Sequence, residues 1–539
     1  MMADVKKRPP TPPIATSDVR RDLMEHIPVP STAWSVTGRE VGFSTGFDSG
    51  LEIGGFALVT TREGHRLLMQ VHEMLVRERE SMRLDVNTEA LGESAASALN
   101  SANVALLMRM VVGAGQVLVE VTDDGLVPAD TRGFREAAIE VAPGALVREF
   151  LQGGLGQSVG LLVGATAAAH APALLKAAGF SRHTFMVGQS GSGKTYSLGV
   201  LLERLLVDTT LPFIILDPNS DYIHLGKLRP RTEIGPRGGP CISTAAYREL
   251  KQRLHAAGDV AVATAASNEL PLRIHLSDLS LHEQALTLGL DALDDGGEYG
   301  AFIEAVESLQ HLDRFGFDAL VDELGTRNDQ WSARLVQRIR NLRVAEWSVW
   351  ASSDEPSLVA RLKGRRGVVL DTGSLDSARE RSVVALAVLG QLRRRETRSP
   401  MLLVIDEAHN VLSPDAETDL QKAIVDYGVW VAGEGRKYGI HMVVSTQRPQ
   451  KIHRNVISQC DNLVLMRMNS VADIEELSTI FSHVPRSMIA EARAFVQGEM
   501  LVAGPIATPA IRVNVGERWC REGGADLPTT WAMTPSSRH

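Results

Sequence analysis

The sequence predicts an α/β protein built on a parallel sheet, with a small β-barrel-like domain ahead of it and a helical insertion within it. Three observations carry that reading. HTFMVGQSGSGKTY, from His183 to Tyr196, runs from an apolar strand through a glycine-rich loop into a helix. MLLVIDE, from Met401 to Glu407, is a second buried strand, and it ends on two carboxylates. GFALVTT and GQVLVEV, both upstream, look like strands set between Gly- and Asp-rich turns.

Taken in order, residues 1–33 are Pro-rich and read as a flexible arm; Lys6, Lys7 and Arg8 are not followed by the apolar run of a signal peptide. Residues 34–150 form the β-rich, barrel-like assembly domain. Within it Arg66 to Glu80 looks helical, while Val86 to Ala102 is small and polar. Residues 128–180 link this domain to the core. The most membrane-like run, Val159 to Phe180, is broken by His170, Pro172 and Lys176, so no membrane span is expected there.

The core covers 151–279 and 359–516. A helix from Thr195 to Leu206 follows the glycine-rich loop. Phe213-Ile214-Ile215-Leu216-Asp217 is a further buried strand, closed by Pro218-Asn219-Ser220-Asp221, and Leu272 to Leu276 is expected to be another. Between 280 and 358, HEQALTLGL, AFIEAVESLQHL and WSARLVQRIRNL place apolar residues at i, i+3 and i+4, which predicts a helical insertion. Gly367 to Asp371 restores a strand and Ala378 to Arg395 a helix; residues 517–539 are a C-terminal tail.

Composition bounds the function. The 539 residues are enough for two to four domains, and the net charge of −9 excludes a protein coated in basic surface. Local positive charge in a channel remains compatible with nucleic acid. Cys241, Cys460 and Cys520 lie far apart without a C-x-x-C spacing, as suits a reducing compartment; a cytoplasmic protein is expected.

The motifs specify chemistry. Gly188, Gly193, Lys194 and Thr195 satisfy G-x-x-x-x-G-K-[ST], the P-loop. Its segment Gly188, Gln189, Ser190, Gly191, Ser192, Gly193, Lys194, Thr195, Tyr196 would bind ATP: the glycines let backbone amides converge on phosphate, and Lys194 reaches the β- and γ-phosphates. Thr195 and Asp406 would hold Mg²⁺, and Glu407 would take the proton of the attacking water. On the strand from His441, Gln447 is the candidate sensor of the γ-phosphate, with Thr446 as the alternative. In Glu434-Gly435-Arg436-Lys437-Tyr438-Gly439, Arg436, with or without Lys437, is either an arginine finger or a cation matching a helix end.

Together GQSGSGKTY, LDPNSDY, LLVIDEAHN, EGRKYGIHMVVSTQRP and NVISQCDNLVLMRM resemble the HerA group of FtsK/HerA-type ATPases, over roughly residues 155–505. Ser220-Asp221 stands where many relatives have Gly-Glu. The resemblance implies a P-loop core of the RecA-like type behind a small β-barrel. It also implies a homohexameric ring that uses ATP to move double-stranded DNA through its pore, and a docked partner nuclease or other effector. By the same match, Gly188, Gly193, Lys194 and Thr195 serve phosphate and metal, Asp406 and Glu407 metal and water, Gln447 the sensor role and Arg436 the finger role.

Three basic clusters are candidates for a DNA path: Arg334, Arg338, Arg340 and Arg343; Arg361, Lys363, Arg365 and Arg366; and Arg393, Arg394, Arg395 and Arg398. They carry few interleaved aromatics, so they suit duplex backbone rather than stacked single strand. Three functions compete: a translocase working in end processing with a nuclease, the same motor coupled to an antiviral effector, and an ATP-gated ring that only assembles partners.

Overall fold

The computed structural model describes residues 31–78, 109–130, 132–235, 240–312, 314–352, 355, 358 and 365–524. The Pro-rich arm up to residue 30, the segment Val86 to Ala102, Arg361, Lys363 and the tail beyond 524 lie outside the described residues. The chain divides into two units, residues 1–150 with 168–171, and residues 151–167 with 172–539.

The first unit holds β1 (Thr32–Ser35), β2 (Glu40–Thr45), β3 (Phe56–Thr61), β4 (Arg66–Glu78), β5 (Arg109–Thr122), β6 (Gly125–Val127) and β7 (Phe134–Val141). Their order is β2-β1-β7-β3-β4-β5-β6, and β2 also pairs with β5, so six strands close into an antiparallel barrel with β6 at its side. Closure removes the unpaired edges that an open sheet would present. Val41, Phe43, Val59, Met69 and Ile139 fill the interior.

One expectation fails here. Arg66 to Glu78 is not helical; it is β4, and Arg79 and Glu80 lie outside the described residues. The register slips between Leu68 and Met69 and again between Val71 and Glu73. Such bulges break the strict alternation of a strand, which is why RLLMQVHEMLV looks helical on paper. Neighbours β3 and β5 supply the backbone partners, and that pairing overrides the helix preference of Leu, Met and Glu.

A helix, α1 (Gly144–Gly153), follows β7. The second unit is built on β8 (Gly160–Thr166), β9 (Pro172–Lys176), β10 (His183–Val187), β11 (Phe213–Asp217), β12 (Val260–Ala263), β13 (Gly367–Asp371), β14 (Met401–Ile405), β15 (Ile440–Thr446), β16 (Cys460–Met466), β17 (Glu499–Gly504) and β18 (Ala507–Val515). The order is β12-β13-β11-β14-β15-β10-β16-β17-β18-β8-β9. From β12 to β16 every neighbouring pair is parallel, and from β16 onward every pair is antiparallel. The apolar run Val159 to Phe180 is the β8–β9 hairpin, and no helix among the described residues is long and apolar enough to cross a membrane.

The expected strand at Leu272 to Leu276 is also absent. Ile274 exchanges backbone hydrogen bonds with Val349 and Ala351 at 2.8 Å each, an isolated bridge rather than a ladder. Its apolar residues are buried against the insertion instead of in the sheet. The edge strand is β12, whose VAVA was too short to register as a strand signal.

Helices cover the sheet: α2 (Lys194–Asp208), α3 (Thr244–Ala257), then the insertion helices α4 (Leu281–Thr287), α5 (Gly296–Leu309), α6 (Phe317–Thr326) and α7 (Gln330–Leu342), then α8 (Ala378–Arg393) and α9 (Asp419–Glu434). Caps fix several starts. Ser280 accepts the Glu283 amide while the Glu283 carboxylate accepts the Ser280 amide, and Asp329 accepts the amides of Trp331 and Ser332.

Candidate functional site

Sheet order builds the site. β15 lies between β10 and β14, so Val187, Thr446 and Ile405 end side by side at the carboxyl ends of the central strands. The chain leaves β10 into the glycine-rich loop, where Gly191 and Gly193 take φ of +73° and +92°. A Cβ makes that region costly. α2 then begins at Lys194 with no side-chain cap. Ser197 donates to the Gly193 carbonyl at 2.9 Å, so the amides of Lys194, Thr195 and Tyr196 precede the first bond of the helix. Such amides suit an anion.

Not every loop group faces those strand ends. The Gln189 amide donates to Arg467 O at 3.0 Å and the Ser192 amide to Gln189 O at 3.1 Å. Gln189 Oε1 accepts from the Asn469 amide, and the Tyr196 hydroxyl accepts from the Arg518 amide at 2.8 Å. Ser190 is exposed, Gly188 is buried, and the buried Ser192 hydroxyl has no partner among the described residues.

Lys194 reaches straight to the end of β14. Its Nζ lies 2.8 Å from Asp406 Oδ1, 3.2 Å from Glu407 Oε1 and 3.0 Å from Ser445 Oγ. Burial alone would lower the Lys194 ammonium, but the two carboxylates hold it above its usual range. Burial would likewise raise the Asp406 carboxyl; the Lys194 charge and hydrogen bonds from Lys194 and Ser445 keep it below the carboxylate range. The cluster is an ion pair at neutral pH.

Glu407 is set differently. It takes φ of +43°, a left-handed conformation rare for a residue with a Cβ. Its Oε1 accepts from Gln447 Nε2 at 2.7 Å. Oε2 is buried and lacks a hydrogen bond among the described residues, with His409 Nδ1 at 3.3 Å. His409 Nδ1 is also 3.2 Å from Thr446 Oγ1. Lys194, Asp406, Glu407, Gln447 and Thr446 are thus gathered, and Thr195 sits on the first turn of α2 beside them.

Arg436 is not part of this group. It follows α9 and precedes β15, and its Nη1 pairs with Asp461 at 3.3 Å, beside the start of β16; Arg182, just before β10, pairs with the same carboxylate at 3.5 Å. β15 has 7 residues, roughly 23 Å at ~3.3 Å per residue. Arg436 therefore lies at the amino ends of the strands, opposite the loop of its own chain, and Lys437 pairs with Glu434 there.

Sequence reasoning missed several residues. Tyr222 donates from its hydroxyl to Asp406 Oδ2 at 3.2 Å, and Arg467 donates to Gly191 O at 3.2 Å. Tyr222, Arg467, Asp217, Ser445 and His409 all lay inside quoted motifs without a role. Asp217 accepts the amides of Asn219, Asp221 and Tyr222. Burial raises Asp217 to about 6 and Asp221 to about 7.

Most of the described basic clusters are engaged within the chain. Arg338 binds Glu298 and Asp295, Arg343 binds Glu346, and Arg394 binds Glu283. Arg366 donates to the carbonyls of Leu205, Leu206, Thr209 and Leu211.

Residues 158–392 match the family described as helicase HerA, central domain. That segment is HerA-like. The chain is 28% identical over 153 residues to a probable helicase of Methanocaldococcus jannaschii, covering 27% of this chain and 29% of the relative's own length. To the DNA double-strand break repair helicase HerA of Saccharolobus solfataricus it is 20% identical over 371 residues, covering 66% of this chain and 69% of that protein. VirB4 of Thermoanaerobacter pseudethanolicus superposes with a TM-score of 0.45 at 16% identity, covering 66% of this chain and 96% of that one. The HerA-like segment begins just ahead of β8 and ends in α8, so Asp406, Glu407, Arg436 and Gln447 lie beyond the matched residues.

Proposed function

We propose that this chain is an ATP hydrolase with Mg²⁺ as its metal, acting as a closed ring, most simply a hexamer, that drives double-stranded DNA through its pore. A docked nuclease or antiviral effector and a cytoplasmic place of action complete the proposal. The observation that carries the hydrolase is the Glu407 carboxylate, with one oxygen pinned by Gln447 and Lys194 and the other, 3.3 Å from His409 Nδ1, without a hydrogen bond among the described residues. A carboxylate so held is ready to accept a proton from water.

The residues fit the nucleotide and the cation. Uncapped amides at the start of α2 and the Lys194 ammonium suit phosphates, and the oxygens of Thr195 and Asp406 suit a hard cation. Mg²⁺, when bound, neutralises charge developing on the transferring phosphoryl group. Lys194 would exchange its carboxylate partners for phosphate oxygens. Gln447 orients Glu407, and Glu407 draws the proton from the attacking water. Arg436 cannot reach its own loop, so its service as a finger requires the loop of a neighbouring chain.

The DNA role draws on the HerA-like match and on what its relatives' names say of those proteins. A second reading, an ATP-gated ring that assembles an effector without translocation, is favoured by one observation: Arg338, Arg343, Arg366 and Arg394 already have partners within the chain. Steady-state ATP turnover with and without linear duplex DNA separates the two. Stimulation by duplex supports the motor; turnover indifferent to DNA supports the assembling ring.

A further inference from the structure

After β18 the chain crosses α2 and lands on the loop that follows β11. Arg204 donates to Glu517 O at 2.7 Å, and its guanidinium stands 3.3 Å from the centroid of the Trp519 ring. The fully buried Glu203 carboxylate accepts the amides of Trp519 and Cys520 at 2.7 Å each. Arg518, at 1% exposure, lies between these anchors. Its Cζ is 5.7 Å from the Tyr222 ring centroid, and its Nη2 donates to Asp221 O at 3.2 Å. Its Nη1 pairs with Glu522 at 3.3 Å. The helix makes room for it at one place: a Cβ on Gly199 would stand 2.5 Å from both Cζ and Nε of Arg518.

Tyr222 is wholly buried and touches the metal-orienting carboxylate. Asp406 Oδ1 is occupied by the Lys194 ammonium, the Ser445 hydroxyl and the Glu407 amide. For Oδ2 the described hydrogen bond is the one from the Tyr222 hydroxyl at 3.2 Å. A donor on the second oxygen of a metal-binding carboxylate fixes how that oxygen is aimed.

We infer that Tyr222 is a positioning residue that aims Asp406 for the divalent cation, and that Arg518, carried in on the segment 517–524, positions Tyr222. The seating of that segment thereby tunes metal affinity at the nucleotide site. This rests on the reading of Asp406 as the metal-orienting group.

The test uses the full-length chain and Mn²⁺ as the probe, titrated by electron paramagnetic resonance in the presence of a slowly hydrolysed ATP analogue. Binding of the analogue is also measured in EDTA. Tyr222→Phe should weaken Mn²⁺ binding by about tenfold and leave metal-free nucleotide binding unchanged. Gly199→Ala, which displaces the Arg518 guanidinium without touching Tyr222, should shift Mn²⁺ binding in the same direction by less. Where Gly199→Ala does not fold, Arg518→Lys, which keeps the charge and loses the plane, replaces it. Unchanged Mn²⁺ affinity in Tyr222→Phe, in the face of its loss in Asp406→Asn, overturns the inference alone. Equal loss of Mn²⁺ and metal-free nucleotide overturns it too, because that is the mark of a merely structural residue. Mn²⁺ binding retained in Asp406→Asn overturns the metal reading itself, and this inference with it.

Discussion

Glu407 and His183 show how single side chains in this molecule are set by what surrounds them. Glu407→Gln keeps the shape and the Gln447 contact but cannot accept a proton. It should bind ATP normally and hydrolyse it about 10²–10⁴-fold more slowly, read from nucleotide affinity alongside steady-state turnover. His183 is fully buried at the start of β10, and its Nδ1 accepts the Met442 amide at 2.9 Å. Protonation would set one N–H against another. Burial, with the charges of His441 and Arg436, lowers its pKa to about 4. The unfolded chain therefore binds the proton first, and stability falls as pH drops from about 6.5 towards about 4. Between pH 7 and pH 4.5 the wild type should lose about 2–3 kcal/mol more than His183→Gln, measured by urea unfolding at each pH. Equal losses in the two proteins would place the acid sensitivity elsewhere.

Elements divide between those with a local signal and those without one. The P-loop segment and MLLVIDE announce themselves because glycine conformation and strand-end carboxylates are local requirements, and the fold sets Lys194 against Asp406. Tyr222 closes the quoted LDPNSDY without a role of its own and Arg518 stood in no motif; they meet Asp406 and Tyr222 through contacts between residues 184 and 296 positions apart in sequence. β4 misread as a helix because its bulges are created by its neighbours, and a single chain segment does not display its neighbours. The same holds for the charge on Arg366. Read along the chain it belongs to a basic cluster; in the fold it donates to the carbonyls at the end of α2. Arg366→Ala should cost about 1–2 kcal/mol of stability and leave duplex affinity at fixed salt unchanged. A large loss of duplex affinity with normal stability would return Arg366 to the DNA path.

At the scale of the whole molecule, the loop with Lys194 and the segment with Arg436 occupy opposite ends of two adjacent central strands. On the proposed reading, Arg436→Ala chains keep an intact nucleotide loop and Lys194→Ala chains keep an intact finger. Each alone should be inactive, and mixing them should restore part of the turnover. Absence of rescue, with both variants folded and assembled, would remove Arg436 from catalysis. Sedimentation with an ATP analogue and Mg²⁺ should show a closed oligomer, and a monomer at micromolar concentration would remove the ring. Placement at opposite ends of the strands has a further consequence on that reading. A two-fold interface would need both ends within one patch that meets its own copy; a head-to-tail contact completes a site without that, and such contacts close as rings or run on as filaments. Damage then travels in one direction around the assembly. A chain lacking Arg436 turns over its own nucleotide as long as its supplier is intact, while silencing the site it was meant to serve, so in a mixed population the defect is inherited by the neighbour and not by the chain that bears it.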